Sequence, residues 1–165
     1  LLVSGGTSSA QPASGPSSSE PRYTIKADEP RLGSHIRPDR FRGRSIALNL
    51  PYEQLPESDR HALHAWWERI EPGDEPPFPI GGLISIYKPI GSANERRHQQ
   101  GELLAVGNIN AQGLATEVRI LSAPTPELGE VAAKVLLATK FKPALCAGAP
   151  CSMDFPVHLV FHVKR

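Results

Sequence analysis

The fold is decided by residues 101–144, which read GELLAVGNINAQGLATEVRILSAPTPELGEVAAKVLLATKFKPA. The first segment alternates, with Leu103, Ala105 and Ile109 on one face, as in a half-buried strand. The step Asn110-Ala-Gln-Gly113 has turn chemistry, because its glycine can adopt a positive φ. A second alternating segment follows the turn, so the sequence predicts an antiparallel hairpin.

The second segment of the hairpin covers residues 114–121. Alternation puts four of its residues on one side: Leu114, Thr116, Val118 and Ile120. Glu117 and Arg119 fall on the opposite side. The pattern therefore predicts a strand with one largely apolar face and one charged face.

A helix is predicted after the hairpin. Thr125 is suited to the N-cap, Pro126 to the first helical position, and Glu127 to the positive end of the helix dipole. One continuous stripe has helical spacing: Leu128, Val131, Ala132, Val135, Leu136 and Thr139. Pro143 marks the end of the helical segment.

A long final strand is predicted over residues 152–164. One side of it carries Met153, Phe155, Val157, Leu159, Phe161 and Val163, and the other carries Asp154, His158 and His162. One sheet face then closes on one helix stripe. The predicted fold class is α+β, a small antiparallel sheet in ββαβ order packed on one or two helices, with an N-terminal helical extension.

The N-terminal half divides into a lead-in over residues 1–22, rich in Ser, Gly and Pro, and an extension over residues 23–75. The C-terminal domain covers residues 76–165. Residues 22–44 have a basic bias, which is interpreted as a solvated extended segment laid over the domain or as a contact to an acidic partner, peptidoglycan or phospholipid headgroups. Residues 46–50 alternate and are predicted to form an edge strand. Residues 80–100 are predicted to be partly helical, with Pro89 kinking or splitting the helix.

A further helix is predicted to begin at Ser58, as its cap, and to end before Pro72-Gly73. Its apolar face has i, i+3, i+4, i+7 spacing: Leu63, Trp66, Trp67 and Ile70. Both tryptophans are expected to pack on the C-terminal domain, because they offer large apolar surfaces. A partner-binding aromatic patch is the alternative.

Composition argues against several classes of function. The 18 basic and 17 acidic residues give a net charge of +1, so no strong field for nucleic acid or membrane surface is expected. No segment has the roughly 20 apolar residues that span a bilayer. Neither a phosphate-binding loop nor a hydrolase motif is present, and His61, His64 and Glu68 lack the spacing of a zinc motif. We therefore expect no enzyme, no cofactor and no metal.

The ordered pattern over residues 101–163 resembles the C-terminal domain of the TonB family. That family's Gly, three apolar positions and turn Gly are matched by Gly101, Leu103, Ala105, Ile109 and Gly113, and its later apolar positions by Val118 and Ile120. The helix start is matched in part by Leu128 and Ala132, and the aromatic signature that follows by Phe141, Pro143 and Ala144. Phe78-Pro79 and Gly148-Ala-Pro150 correspond to further family steps.

The resemblance implies a protein that binds a partner by strand addition. TonB-family domains hold a short peptide of an outer-membrane transporter along a sheet edge and transmit energy from an inner-membrane motor. Applied to this chain, it implies partner binding on the final strand, through Asp154, Phe155, Val157, His158, Leu159, Val160 and His162. Pairing with a second copy along the same edge is an alternative that gives a homodimer.

The resemblance also implies a periplasmic location. The short apolar start and small residues up to Ala10 are interpreted as the tail of a signal peptide, or as an ordinary tail. Cys146 and Cys151 bracket a turn, and a disulfide is the first hypothesis, because the geometry and an oxidising compartment both fit. A redox-active pair and a metal site are weaker alternatives, since the CxxC spacing and further ligands are absent.

Three functional interpretations remain open at this stage. The first is an exported TonB-like binding protein, because the membrane helix and long spacer of a conventional transducer are not visible. The second is a transducer whose anchor lies upstream. The third is a structural or assembly subunit of an envelope or secretion complex, since the similar TolA domain serves a different machine.

Overall fold

The structure, a computed structural model, describes residues 22–25, 36 and 46–162. The helices of these residues are α1 (Glu57–His64), α2 (Ile84–Glu95) and α3 (Pro126–Ala138), with a 3-10 turn at Tyr52–Gln54. The strands are β1 (Arg22–Ile25), β2 (Phe78–Pro79), β3 (Gly101–Ile109), β4 (Ala115–Ser122), β5 (Phe141–Lys142), β6 (Ala144–Cys146), β7 (Ala149–Cys151) and β8 (Met153–Phe161). The α+β class is confirmed.

The main sheet has four strands in the order β1, β4, β3, β8. The predicted hairpin is confirmed as the antiparallel pair β3 and β4, and β8 pairs antiparallel with the other side of β3. Strand β1 pairs parallel with β4, so the sheet is mixed. Two small sheets, β2 with β5 and β6 with β7, lie outside it.

The prediction of which side chains of β4 are buried is wrong for the first residues of the segment, 114–116. Leu114 is 47% exposed and Thr116 is exposed, whereas Ala115, Val118 and Ile120 are buried. The register with β3 shifts between Asn108 and Ile109. An extra residue in one strand reverses the alternation, which sequence periodicity does not reveal.

Helix α3 begins as predicted. The Thr125 hydroxyl accepts a hydrogen bond from the Leu128 amide at 3.3 Å, and Pro126 is the first helical residue. The helix packs against β4 and β3 through buried Leu128, Ala132 and Leu136. Gly129 allows this close approach, because a Cβ there would lie 3.2 Å from the Ile120 side chain.

Helix α1 differs from its prediction at both ends. Pro56 is the N-cap, and Ser58 lies inside the helix, which ends at His64. Trp66 and Trp67 therefore follow the helix, and both are buried. They pack on the C-terminal half as expected, with the Trp66 ring 6.4 Å from that of Phe155.

Two other N-terminal predictions have a definite outcome. Residues 46–50 form no strand; Ile46 is buried there, and the Leu48 carbonyl accepts a hydrogen bond from the Ile84 amide at 2.7 Å. Part of the segment 80–100 is helical, as predicted, but Pro89 does not split it, because α2 continues through Pro89 from Ile84 to Glu95. Residues 1–21 of the lead-in, most of the basic segment and Val163 lie outside the described residues, and Arg22, the last residue of the predicted lead-in, begins β1.

One hydrophobic core joins the two halves of the chain. Ile36, Leu63 and Trp66 belong to the same buried cluster as Leu103 and Phe155. The extension therefore contributes directly to the packing that holds the main sheet.

The two cysteines are joined as a disulfide across the hairpin of β6 and β7, with their Cα atoms 5.9 Å apart. The hairpin is also held by two hydrogen bonds between the backbones of Glu75 and Leu145, each 2.9 Å long. The Asp74 carboxylate accepts a further one from the Ala147 amide at 2.8 Å.

Replacing both Cys146 and Cys151 by serine is expected to lower the free energy of unfolding by about 2 kcal/mol, because the disulfide restricts the unfolded chain. The native hairpin should persist through its bonds to Asp74 and Glu75. Chemical denaturation of the oxidised protein and the double variant measures the difference. Equal midpoints for the two proteins would contradict the expected contribution.

Candidate functional site

The outer edge of β8 is the candidate site. Strand β8 is the last strand of the main sheet, and no described strand pairs with its second edge. Its pairing with β3 is continuous from Met153 opposite Ile109 to Phe161 opposite Gly101. The inner edge of β8, which faces β3, is therefore paired along its whole length. Of this strand, only the outer edge, which faces away from β3, can offer backbone groups to another chain.

The apolar side of β8 faces the core. Phe155 and Val157 are completely buried, and Leu159 and Phe161 are partly buried. The Phe155 ring lies 5.3 Å from that of Phe141 and 6.4 Å from that of Phe78. Phe155 and Val157, both on the predicted partner-binding strand, thus have their side chains in the interior.

Pro156 indicates which backbone N–H groups of β8 point away from β3. It is paired with Val106 in the ladder but has no amide hydrogen to donate. In sheets, proline occurs on edge strands with its nitrogen facing away from the neighbour. Since the direction alternates along a strand, the amides of His158 and Val160 also point away from β3.

Trp67 already occupies the beginning of this edge. Its indole N–H donates a hydrogen bond to the Asp154 carbonyl at 2.9 Å. Pro156 removes the next outward donor. The part of the edge that can pair with a guest strand therefore lies after Pro156, where Val160 is 50% exposed and His162 is exposed.

The polar side of β8 is tied to the neighbouring strands. The Asp154 carboxylate accepts a hydrogen bond from the side-chain Nδ2 of Asn108 at 2.9 Å and pairs with the Arg119 guanidinium at 3.0 Å. The His158 imidazole lies 2.9 Å from the Glu102 carboxylate. The Asp154 carboxylate is thus engaged within the sheet, while His162 stands at its outer end.

A cleft of about 500 Å³ opens beside the end of β8. It is lined by the end of α2 and the residues after it together with the end of the strand: Gly91, Asn94, Glu95, His98, Gln99, Phe161 and His162. Asn94 organises this corner, because its side chain bonds the amide and the carbonyl of Gln99 at 3.1 and 2.9 Å.

Two residues of the cleft depart from local conformational preference. Gly91 lies in the interior of α2, where glycine costs about 1 kcal/mol relative to alanine, although a Cβ there would meet no atom within 4 Å. His98 has a φ of 52°, a left-handed conformation in which glycine is common. Such departures concentrate at functional sites.

A second polar cluster lies near β5. The Tyr52 hydroxyl and His64 Nε2 are 2.8 Å apart, and the Lys142 ammonium pairs with Glu75 at 2.8 Å. Burial raises the pKa of Tyr52 to about 12, and burial also lowers the pKa of His64. The cluster joins the N-terminal segment to β5.

The histidines considered as metal ligands do not form a metal site. Helix α1 ends at His64, so Glu68 does not continue its helical face. Within residues 46–162 and the other described positions, no group of three or more potential ligands is close enough to hold a metal ion. No helix among these residues is long and apolar enough to cross a bilayer.

Sequence reasoning located β8 but missed the cleft. The bond from Trp67 to Asp154 spans 87 positions of the chain, and the closeness of Gly91 to Phe161 likewise depends on tertiary packing. The available signals were Pro156 within an alternating strand and a glycine within a predicted helix.

In comparisons with known proteins, no family model and no curated protein matches this chain.

Proposed function

We propose that this protein is a non-enzymatic, TonB-like envelope protein that binds an extended peptide or protein segment by strand addition to β8. The observation that carries the proposal is an outermost strand whose inner edge is fully paired and whose end is exposed at Val160. A guest backbone would bond the outward amide and carbonyl groups after Pro156.

The order of elements in the C-terminal half supports the TonB-like interpretation. Strands β3 and β4, helix α3 and strand β8 follow one another in the ββαβ order, and β3 lies between the other two strands. The short strands β5, β6 and β7 are inserted before β8. The proposal assigns β8 the role of the peptide-binding strand in that arrangement.

The disulfide supports an exported, periplasmic protein. Disulfides persist in oxidising compartments and are rare in a reducing cytosol. A role in energy transfer to an outer-membrane transporter and a role in assembly of an envelope complex use the same edge, so identifying the natural guest segment separates them.

Replacing Val160 by proline is expected to weaken guest binding by about tenfold or more, because it removes an outward N–H donor and adds a ring at the edge. The probe is the tightest peptide selected from a display library of random short peptides, and fluorescence anisotropy gives its Kd. Pro156 shows that the strand accommodates proline at an outward position, so the fold should persist.

The matched control is Val160→Ala, which removes the side chain but keeps the amide. Its Kd should stay close to that of the original protein if the backbone provides the affinity. Hydrogen exchange should also show protection of the Val160 amide on binding. A proline variant that is folded and binds as tightly as the original would refute strand addition.

A further inference from the structure

An added strand would bring a side chain to the cleft at the end of α2. Side chains of a strand alternate between the two faces of a sheet, so every second guest residue lies on the helix side. Phe161 is on that side of β8 and lines the cleft together with Gly91. A guest residue beside Phe161 therefore faces this opening.

The charge of the cleft favours a cation. Glu95 lines it and forms no ion pair with any residue that the structure describes. The C-terminal end of α2 adds a partial negative charge at the same place. Arg96 and Arg97 adjoin Glu95 in sequence but do not line the cleft.

The shape and the aromatic wall also suit a basic side chain. Phe161 lines the cleft, and aromatic rings attract an ammonium or guanidinium group placed over their face. Gly91 leaves space at its own position in the lining, because nothing lies within 4 Å of a Cβ built on it. The volume of about 500 Å³ accommodates a long side chain with its bound water.

We propose that the cleft formed by Gly91, Glu95 and Phe161 is a specificity subsite for a lysine or arginine of the added strand. The inference rests on the proposed strand addition and goes further by specifying the guest sequence. The backbone edge provides affinity, and the subsite fixes which register of a guest is held.

The test is a selection of random short display peptides against the full chain and its Glu95→Gln, Gly91→Leu and Val160→Pro variants. Peptides selected by the original protein should carry Lys or Arg at one fixed position. Exchanging that residue for glutamine should weaken binding about tenfold to the original protein but hardly at all to Glu95→Gln. Gly91→Leu, which fills the cleft with a good helix former, should remove the same preference.

The outcomes separate the two proposals. Selected peptides without a fixed basic position, or an equal loss on Glu95→Gln, overturn the subsite; strand addition still stands if Val160→Pro has lost binding. Unchanged binding to a folded Val160→Pro protein overturns strand addition and the subsite that depends on it. Failure to select any peptide overturns both.

Discussion

Replacing Gly113 by alanine is expected to lower the free energy of unfolding by at least about 3 kcal/mol, because both backbone and space exclude a side chain. Gly113 has a φ of 80°, and a Cβ on it would overlap the carbonyl oxygen of Phe141. The overlap is not easily relieved, since the Phe141 amide donates a hydrogen bond to the Gly113 carbonyl at 2.8 Å.

Gly148→Ala is the matched control for Gly113. Gly148 also has a φ of 80°, but a Cβ there would meet no atom within 4 Å. Only the left-handed backbone is then penalised, at about 1 kcal/mol. Chemical denaturation of both variants measures the two costs. If the two substitutions cost the same, the close approach of the β3–β4 turn to β5 is not what requires glycine.

The second large effect is expected for Phe155→Ala, which should cost about 4 kcal/mol. Phe155 is completely buried and touches aromatic rings from three other parts of the chain: Trp66, Phe78 and Phe141. Removing its ring would leave a cavity where the N-terminal segment, β2 and β5 meet β8. Thermal or chemical unfolding, followed by tryptophan fluorescence, provides the measurement.

Val160→Ala serves as the control on the same strand. Val160 is 50% exposed, so its truncation should change stability by no more than about 0.5 kcal/mol. A small cost for Phe155→Ala would show that β8 does not depend on the aromatic cluster. The pair of variants thus separates the supporting side of β8 from the edge proposed to receive a guest.

The local sequence was sufficient to predict features that a few neighbouring residues determine. Thr125 and Pro126 predicted the start of α3, and Asn110 to Gly113 predicted the turn between β3 and β4. Cap and turn preferences act over a few residues, so the sequence carries them directly. The disulfide between Cys146 and Cys151 is local in the same sense.

The predictions for β4 and α1 were wrong where contacts between distant parts of the chain determine the local structure. The bulge that exposes Leu114 adds a residue to the ladder, and alternation alone does not register such an addition. Leu63 and Trp66 fit a helical face, yet α1 ends between them and the tryptophans fill a core formed by β8. Tertiary packing overrides helical periodicity at that point.

Of the candidate site, only the strand was predicted from the sequence. Alternation predicted a strand that includes Val160 and His162, but β8 ends at Phe161, and the blocking of its beginning depends on Trp67. The cleft depends on Gly91 and Phe161, which are 70 positions apart. Its signal in the sequence, a glycine within a predicted helix, acquires meaning only when the fold brings Gly91 beside Phe161.

Pro156 and Trp67 have a consequence for the behaviour of the protein in concentrated solution. Two copies arranged around a twofold axis along β8 would share only the short stretch after Pro156, since Pro156 itself has no amide donor and the Trp67 indole covers the Asp154 carbonyl. So short a shared ladder gives little reason for self-association or for growth into fibrils. Under the proposed strand addition, Pro156 and Trp67 would thus limit aggregation through β8 while leaving the end of the strand accessible to a short guest segment.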